Sequence, residues 1–250
     1  MLLTYRRTAG STHLPSCQHH PYMTRILSHN PLSIYIEDFL TTEERLHLQN
    51  LAVPLFQAST VGNFDTKGTQ SGVKSSFRNS SSAKLHEHEE DPVITCIKQR
   101  AAAFQGYMSP DNVEPLVVVR YQPGQFYDYH NDWFPVPARF DGHYYNRVSS
   151  FFVYLDDNCE GGATHFPMFP KVGWEEGDSR QTWCDHIECD PTIKGVAVKS
   201  KAGNAVFWIN LNGDTQGDNR AIHSGLPVKN GTKYGLNIFS LSMVPYIPES

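Results

Sequence analysis

The chain has 250 residues, a formal charge of −5, 39% hydrophobic residues and 19% charged residues. Its length fits one domain of moderate size, and its composition is typical of a folded protein and too apolar for a disordered one. Because there is no basic stripe and no apolar run near the roughly 18 residues that a spanning helix needs, we expect neither nucleic acid nor a membrane as a partner.

Residues 1–30 are predicted to be a polar, flexible extension. This segment contains Arg6, Arg7 and Arg25, several Ser, Thr and His residues, and no acidic residue. This composition overlaps with that of mitochondrial transit peptides, but no amphipathic helical pattern is visible, and a secretory signal is not expected. We therefore predict an intracellular, cytoplasmic protein, with a mitochondrial location as the alternative, and a folded domain at residues 31–246.

The first patterned segment is a predicted strand at residues 31–39, PLSIYIEDF, followed by a helix. Thr41 and Glu44 form a capping box at the start of this helix, and Pro54 ends it. The predicted apolar side of the helix consists of Leu46, Leu48 and Leu51.

A second helix is predicted to begin at Asp91 and Pro92, since Asp is a good N-cap and Pro is tolerated in the first turn. Residues 57–82, before it, are rich in Ser, Gly, Thr and Asn and indicate turns and short strands. The second helix should lie against a sheet, because its apolar residues recur at helical spacing: Val93, Ile94, Ile97, Ala101 and Phe104.

From Leu116 onward, short β-type runs are separated by turn residues. These runs are LVVVRY, VSSFFVYL, GVAVKS, NAVFWINL and KYGLNIFSLS. Helices first and strands afterwards predict a mainly β protein with α support, a double-stranded β-helix (jelly roll, cupin-like) core with helices packed on one outer face. A polar insertion at residues 169–192, which contains Trp174 and Trp183, is interpreted as a loop at the mouth of the barrel.

The cysteine pattern gives little support for a zinc ribbon or a full disulfide framework, because the count of five is odd and no C-x-x-C occurs. Cys184 and Cys189 lie close together in WCDHIEC, with His186 between them. Either a local disulfide or a soft metal site would fit this spacing. A structural role in a loop is favoured, since a zinc site needs two more ligands at recognisable spacing.

The clearest chemical signal is the H-x-D triplet of His130 and Asp132 within RYQPGQFYDYHNDWF. On an extended segment these two side chains leave the same face and can reach one metal ion. Pro123 and Gly124 form a predicted turn that delivers this strand. His223 is the candidate third ligand. Two histidines and one carboxylate are the ligand set of non-haem Fe(II) oxygenases.

Six segments, in order along the chain, carry a family resemblance that covers roughly residues 31–243. The chain resembles the catalytic domain of the prolyl 4-hydroxylase family of 2-oxoglutarate and Fe(II) dependent dioxygenases. The matching residues are Arg120-Tyr121 with Tyr127-x-x-His130-x-Asp132, Asn146-Arg147, Tyr154-Leu155, Gly161-Gly162-x-Thr164-x-Phe166-Pro167, Gly203-Asn204-Ala205-x-Phe207-Trp208, and His223-x-Gly225-x-Pro227-Val228-x-x-Gly231-x-Lys233.

This resemblance implies that His130, Asp132 and His223 hold Fe(II). The family pairs a basic residue ten positions after the distal histidine with the remote carboxylate of 2-oxoglutarate, and Lys233 occupies that position. Dioxygen is the implied second cosubstrate, and ascorbate is a candidate reductant. Three further residues are candidates for the cosubstrate site: Tyr121, Asn237 and Thr164.

Four residues are candidates for contacts with the primary substrate. Arg147 and Tyr127 match family positions that face the substrate, although an ordinary surface pair is an equal alternative for them. His165 departs from the usual aliphatic residue at its position, and Trp208 is interpreted as a core residue or a contact. No catalytic residue is predicted beyond the metal site.

The resemblance therefore predicts hydroxylation of an unactivated C–H bond, with prolyl residues of a peptide or protein as the leading substrate class. The alternative is the same chemistry on a small metabolite or biosynthetic intermediate, which the lack of an accompanying peptide-binding domain favours. A non-catalytic, metal-binding jelly roll is a third hypothesis. Neither the exact substrate nor the oligomeric state follows from these residues.

Overall fold

A computed structural model describes residues 17, 20–64, 70–73, 76–170 and 183–245. Backbone alone is described for residues 61–64 and 70–73. The N-terminal half contains two helices and several short strands, in the order β1 Met23–His29, β2 Leu32–Glu37, α1 Thr42–Ala52, β3 Gln57–Ala58, β4 Val61–Phe64, β5 Gln70–Val73, β6 Ser81–Lys84 and α2 Pro92–Gln105.

The rest of the described chain is built from strands, as predicted. They are β7 Val117–Tyr121, β8 Tyr127–His130, β9 Ala138–Phe140, β10 His143–Tyr154, β11 Cys159–Gly161, β12 Thr164–Phe166, β13 Val196–Val198, β14 Ala205–Ile209, β15 His223–Gly225, β16 Val228–Gly231 and β17 Lys233–Val244. The five predicted β-type runs all fall on strands of this set: β7, β10, β13, β14 and β17.

Two antiparallel sheets form the core. The large sheet has the order β1-β2-β14-β10-β17-β7-β6-β3, with β9 paired to β10, and the small sheet has the order β13-β12-β15-β8. Two β pairs, β11 with β16 and β4 with β5, complete the described strands. This arrangement confirms the predicted jelly roll.

Strand alternation divides the interior into two clusters. Along β10, Phe151 and Val153 face the cluster that contains the helices, whereas Phe152 and Tyr154 face the cluster between the sheets. The helices thus cover one outer face of the large sheet, and the opposite face is left for the site.

Both helices begin as predicted. The Thr41 hydroxyl accepts from the Glu44 amide while the Glu44 carboxylate accepts from the Thr41 amide, and Asp91 caps α2. One detail of the predicted apolar side of α1 is wrong, because Leu46 is exposed, and Leu48 and Ala52 are the helix's buried residues. Residues four positions apart, such as Leu48 and Ala52, lie on the same face of the helix, and this face packs against the sheet. Leu46 lies on another face and points away from the sheet.

Strand β1 lies inside residues 1–30, the segment predicted to be a flexible extension. It pairs with β2 along most of its length, from Met23 opposite Glu37 to His29 opposite Leu32. Leu27 and Ser28 are buried, so this strand is packed as part of the folded domain. The described helices include none with the length and apolarity to span a bilayer.

Two disulfide bonds join four of the five cysteines. Cys17 is bonded to Cys96 on α2, 79 residues away, and Cys184 is bonded to Cys189. Cys159 is free. The local alternative for Cys184 and Cys189 is therefore confirmed, but the argument from the odd count missed the long-range bond.

Candidate active site

His130 and His223 come together because β8 and β15 pair in the small sheet, with His223 directly opposite His130. Asp132 follows His130 by two residues, after the strand ends. Its carboxylate oxygens lie 3.7 Å from the Nε2 atom of each histidine, and the ligand atoms of the three residues lie within 4.8 Å of one another. Gly124, with a φ of 79°, forms the predicted turn before β8.

Backbone carbonyls orient both imidazoles. The Nδ1 atom of His130 donates to the Asp128 carbonyl at 2.7 Å, and that of His223 donates to the Ala221 carbonyl at 3.0 Å. Each Nε2 atom is then the unprotonated one, with its lone pair toward Asp132. Burial lowers the pKa of His130 to about 3, so this imidazole is neutral at ordinary pH. These donors fit a divalent metal such as Fe(II).

A buried hydrogen-bond chain fixes the Asp132 carboxylate. The Ser150 hydroxyl donates to Oδ2 of Asp132 at 2.7 Å, and the Asn210 side-chain amide donates to that hydroxyl at 2.8 Å. Burial opposes ionisation of Asp132, but the positive charge of Arg147 and this hydrogen bond hold its pKa below the usual range. A carboxylate held in one rotamer and ionised is suited to metal binding.

Lys233 places a buried cation on the same cavity wall. Its side chain is 1% exposed, and its Nζ donates to the Gly162 carbonyl at 2.5 Å. None of the ion pairs among the described residues includes Lys233, and burial lowers its pKa to about 8. An ammonium buried without a carboxylate is unfavourable. An anionic group of a ligand would supply the missing charge.

The local backbone makes room for this lysine. A side chain at Gly162, whose φ is 66°, would put its Cβ 3.2 Å from Cδ of Lys233 and 3.1 Å from Val228.

Tyr121 lies directly across the strand pair from Lys233, so the two side chains leave the same face of the large sheet. Thr164 accepts a hydrogen bond from the Tyr154 hydroxyl at 2.9 Å.

One cavity of about 840 Å³ contains the three metal-site residues and Lys233. The three other residues predicted for the cosubstrate site, Tyr121, Asn237 and Thr164, line it as well. They therefore share one cavity wall with Lys233.

Two of the four predicted substrate residues also line the cavity. Tyr127 stacks on His130 with ring centroids 3.6 Å apart. The Nε and Nη2 atoms of Arg147 donate to the two carboxylate oxygens of Glu114, at 2.6 and 2.8 Å, and the guanidinium lies over the Phe239 ring at 3.7 Å. Arg147 is therefore not an ordinary surface residue. Its paired guanidinium forms part of the cavity wall.

The other two predicted substrate residues lie outside the cavity wall. His165 follows Thr164 on β12 and therefore points to the opposite face, where its ring contacts the Tyr129 hydroxyl and the Lys194 carbonyl, both at 2.6 Å. Trp208 is 1% exposed and packs behind His223, with ring centroids 4.7 Å apart. Trp208 therefore supports His223 from behind, whereas His165 lies on the far side of β12.

The described part of the predicted mouth loop, residues 169–170 and 183–192, does not line the cavity. Trp183 packs on the β1–β2 hairpin, against Tyr35 and Arg25. It is absent from the cavity lining, and Trp174 lies outside the described residues.

Several site residues were missed at the level of sequence. Arg78 lines the cavity, lies 4.5 Å from the Tyr127 ring centroid, and donates to the hydroxyls of Ser80 and Ser82. Glu114, Ser150 and Asn210 were missed as well. For Ser150, the signal was its place on β10, two residues before Phe152 on the face toward the cavity. For Arg78, which precedes β6, no strand pattern was available.

The chain is similar to several known proteins. Residues 116–240 match the model of the 2OG-Fe(II) oxygenase superfamily. Prolyl 4-hydroxylase 1 of Arabidopsis thaliana is 37% identical over 212 residues, which cover 84% of this chain and 68% of that protein. Prolyl 4-hydroxylase 2 of the same plant is 32% identical over 224 residues, covering 88% and 70%.

Solved structures show the same fold at lower identity. The viral collagen prolyl hydroxylase of Paramecium Bursaria Chlorella virus-1, solved as a 2OG complex, matches with a TM-score of 0.53 and 23% identity, covering 92% of this chain and all of that one. A prolyl hydroxylase of Trichoplax adhaerens, solved with a hypoxia inducible factor peptide fragment, matches with a TM-score of 0.51 and 11% identity, covering 83% and 82%.

Proposed function

Since the chain belongs to the prolyl 4-hydroxylase-like family of 2OG-Fe(II) oxygenases, we propose that it hydroxylates prolyl residues of a peptide or protein, with Fe(II) and 2-oxoglutarate. The observation that carries this proposal is the convergence of His130, Asp132 and His223 in one cavity with the buried cation of Lys233. The names of the similar plant proteins support a prolyl substrate.

In the proposed site, His130, Asp132 and His223 would hold Fe(II) through two Nε2 atoms and one carboxylate. With 2-oxoglutarate and dioxygen, the bound metal would supply the oxidising power for C–H hydroxylation, in which one oxygen atom of dioxygen enters the C–H bond and the other enters succinate as carbon dioxide is released. Ascorbate is the proposed reductant that keeps the iron ferrous.

The protein's own groups bind and orient the reactants. Lys233 pairs with the remote carboxylate of 2-oxoglutarate, and Tyr121, Asn237 and Thr164 border the same ligand. Tyr127 and the paired Arg147 form the wall along which the prolyl residue reaches the metal. The aromatic and aliphatic neighbours exclude water, which strengthens each of these electrostatic contacts.

The disulfide bonds bear on the cellular location. Bonds such as Cys17–Cys96 and Cys184–Cys189 persist in oxidising compartments and are rare in the cytosol. They favour an oxidising compartment over the cytoplasmic or mitochondrial location expected from composition. Thiol counting on the protein isolated from its natural source would test this, and four reduced cysteines at these positions would contradict it.

A direct test combines purified protein, Fe(II), 2-oxoglutarate and proline-containing peptides. We expect succinate to form and the peptide to gain one oxygen atom on proline, and both signals to disappear in His130→Ala. His29→Ala changes an exposed histidine away from the cavity and should leave them unchanged. Binding of Fe(II) and 2-oxoglutarate without oxidation of any proline peptide would contradict the substrate and redirect the search to small metabolites.

A further inference from the structure

The two longest strands of the large sheet, β10 and β17, carry the cavity-lining face beyond the cavity itself. On β17, Lys233, Asn237 and Phe239 line the cavity at alternate positions. The same alternation continues outward to Leu241 and Met243, which therefore lie on the same face. At these outer positions the small sheet no longer covers this face, although the face still belongs to the large sheet that forms the cavity wall.

The neighbouring strands extend this face sideways. Arg147, which lines the cavity, pairs with Leu241, and Tyr145 pairs with Met243 without a register shift between the two pairs. Strand β9 then adds Phe140, whose ring lies 6.2 Å from that of Tyr145. We call the set Phe140, Tyr145, Leu241 and Met243 the apolar shelf.

The two faces of these strand ends differ sharply in exposure. On the shelf, Phe140 is 59% exposed and Met243 is 55% exposed. On the opposite face of the same strands, Asn146 is 4% exposed and Val244 is 6% exposed. On β10 and β17, the face that carries Asn146 and Val244 is therefore packed against the protein. On the shelf, Phe140 and Met243 present large apolar groups to the solvent, and Tyr145 and Leu241 are partly exposed.

We propose that the apolar shelf is a docking surface for the part of the peptide substrate that flanks the target proline. This inference rests on the proposed function. Arg147 and Phe239 line the cavity, and the shelf continues outward from these two residues on the same face of the large sheet. An extended peptide leaving the cavity on this side lies over the shelf.

The length of the shelf along β17 determines how many residues of the peptide it can contact. Met243 follows Phe239 by four residues on β17, a span of about 13 Å. A peptide in the polyproline II conformation covers that span with about four residues, at about 3.1 Å each. The shelf carries two rings, one aliphatic group and one thioether, and the adjoining Arg147 is already paired with Glu114, so the shelf fits proline or other apolar residues at these flanking positions.

The test compares two peptides with the same target proline, one with a single residue on each side and one with eight apolar or proline residues on each side. The protein is the double variant Phe140→Ser with Met243→Ser, and the matched control is Leu46→Ser, which removes an exposed leucine from α1. Binding is followed by fluorescence anisotropy of labelled peptide to the anaerobic Fe(II) and 2-oxoglutarate complex, and KM by succinate release.

We expect Kd and KM for the long peptide to rise about tenfold in the double variant, and both to stay unchanged for the short peptide and in the control. Unchanged 2-oxoglutarate binding would show that the site is intact. Equal affinity of the parent protein for both peptides, or an unchanged Kd in the double variant, would overturn the inference alone. A parent protein that oxidises neither peptide would overturn the proposed function together with it. A parent dimer that the double variant converts to a monomer, with peptide binding unchanged, would assign the shelf to a second copy of the chain.

Discussion

At the scale of single residues, the site depends on a serine that no sequence motif marks. Ser150 joins Asp132 to Asn210 in a chain of two hydrogen bonds, of 2.7 and 2.8 Å. Removing the hydroxyl frees the carboxylate to rotate and leaves a buried acceptor without a donor. We therefore expect Ser150→Ala to weaken Mn(II) or Fe(II) binding to the apoprotein by about 10- to 100-fold.

The neighbouring Ser149 provides the control for this experiment. It is equally buried, but it donates to Gln105 on the helix side of the sheet. Ser149→Ala should reduce stability and leave the metal Kd unchanged, and Ser150→Thr, which keeps the hydroxyl, should restore affinity. Equal metal Kd values for Ser150→Ala and Ser149→Ala would contradict the positioning role.

The buried ammonium of Lys233 gives cosubstrate binding a pH dependence. Its pKa is lowered to about 8 by burial, and only the protonated form pairs with a carboxylate. We expect the affinity for 2-oxoglutarate, measured calorimetrically with Mn(II), to be constant below about pH 8 and to fall above it, approaching tenfold per pH unit.

Stability of the apoprotein should change in the opposite direction. Between about pH 8 and the ordinary lysine pKa of 10.5, the unfolded chain binds the proton that folded Lys233 has lost. The Lys233 contribution to the free energy of unfolding therefore rises with pH in this window. In Lys233→Arg, whose guanidinium stays charged, the decline in cosubstrate affinity above pH 8 should disappear, and its persistence would contradict the assignment.

The metal-site residues and Lys233 could be anticipated because strand alternation and fixed spacing are local properties of the chain. Their partners could not. Ser150 reaches Asp132 only because β10 of the large sheet lies close to the end of β8 of the small sheet. This contact depends on the pairing of strands that are far apart in sequence. His165 was misplaced for a related reason, since Thr164 takes the inward position on β12 and leaves the outward one to its neighbour.

At the scale of elements, the connection after β10 contains a carboxylate that reduces stability. Burial raises the pKa of Asp156 to about 6, although its Oδ1 atom accepts from the Tyr234 amide at 3.4 Å. Because the folded-state pKa lies above the ordinary value of 3.8, the Asp156 contribution to stability falls as pH rises from about 4 to about 6.

Asp156→Asn keeps the acceptor and removes the charge. We expect the Tm curves of the variant and the parent to meet near pH 4 and to separate by pH 7, with the variant more stable by about 1 kcal/mol, a figure reduced for the partial exposure of the group. Curves that coincide from pH 4 to pH 8 would show that Asp156 is ionised without cost.

Elements were predicted best where the local signals agreed. The caps of α1 and α2 and the five β-type runs after Leu116 were all confirmed. Strand β1 was missed because MTRILSH lacks regular alternation, and it is a strand because β2 offers it an edge. Its shape is therefore determined by its neighbour more than by its own residues.

At the scale of the whole molecule, the bond between Cys17 and Cys96 ties the N-terminal segment to α2 across 79 residues. We expect Cys17→Ser to lower the free energy of unfolding by about 2–4 kcal/mol, mainly because the unfolded chain gains freedom. Denaturant titration under non-reducing conditions measures this change.

Cys159→Ser is the matched control, since Cys159 is free, and it should change the free energy of unfolding by less than about 0.5 kcal/mol. A parent protein with five titratable thiols, or equal stability losses in the two variants, would contradict the bond. No local pattern could have revealed it, because the pairing of distant cysteines is decided by the tertiary fold.

The placement of the site on two different sheets has a mechanical consequence. His130 and His223 belong to the small sheet, whereas Lys233 belongs to the large one. In the proposed complex, 2-oxoglutarate binds iron at one end and Lys233 at the other, and so connects the two layers of the barrel. Loading the site with Fe(II) and 2-oxoglutarate should therefore slow amide hydrogen exchange in β15 and β17 together, and succinate, which is one carbon shorter, should slow it less.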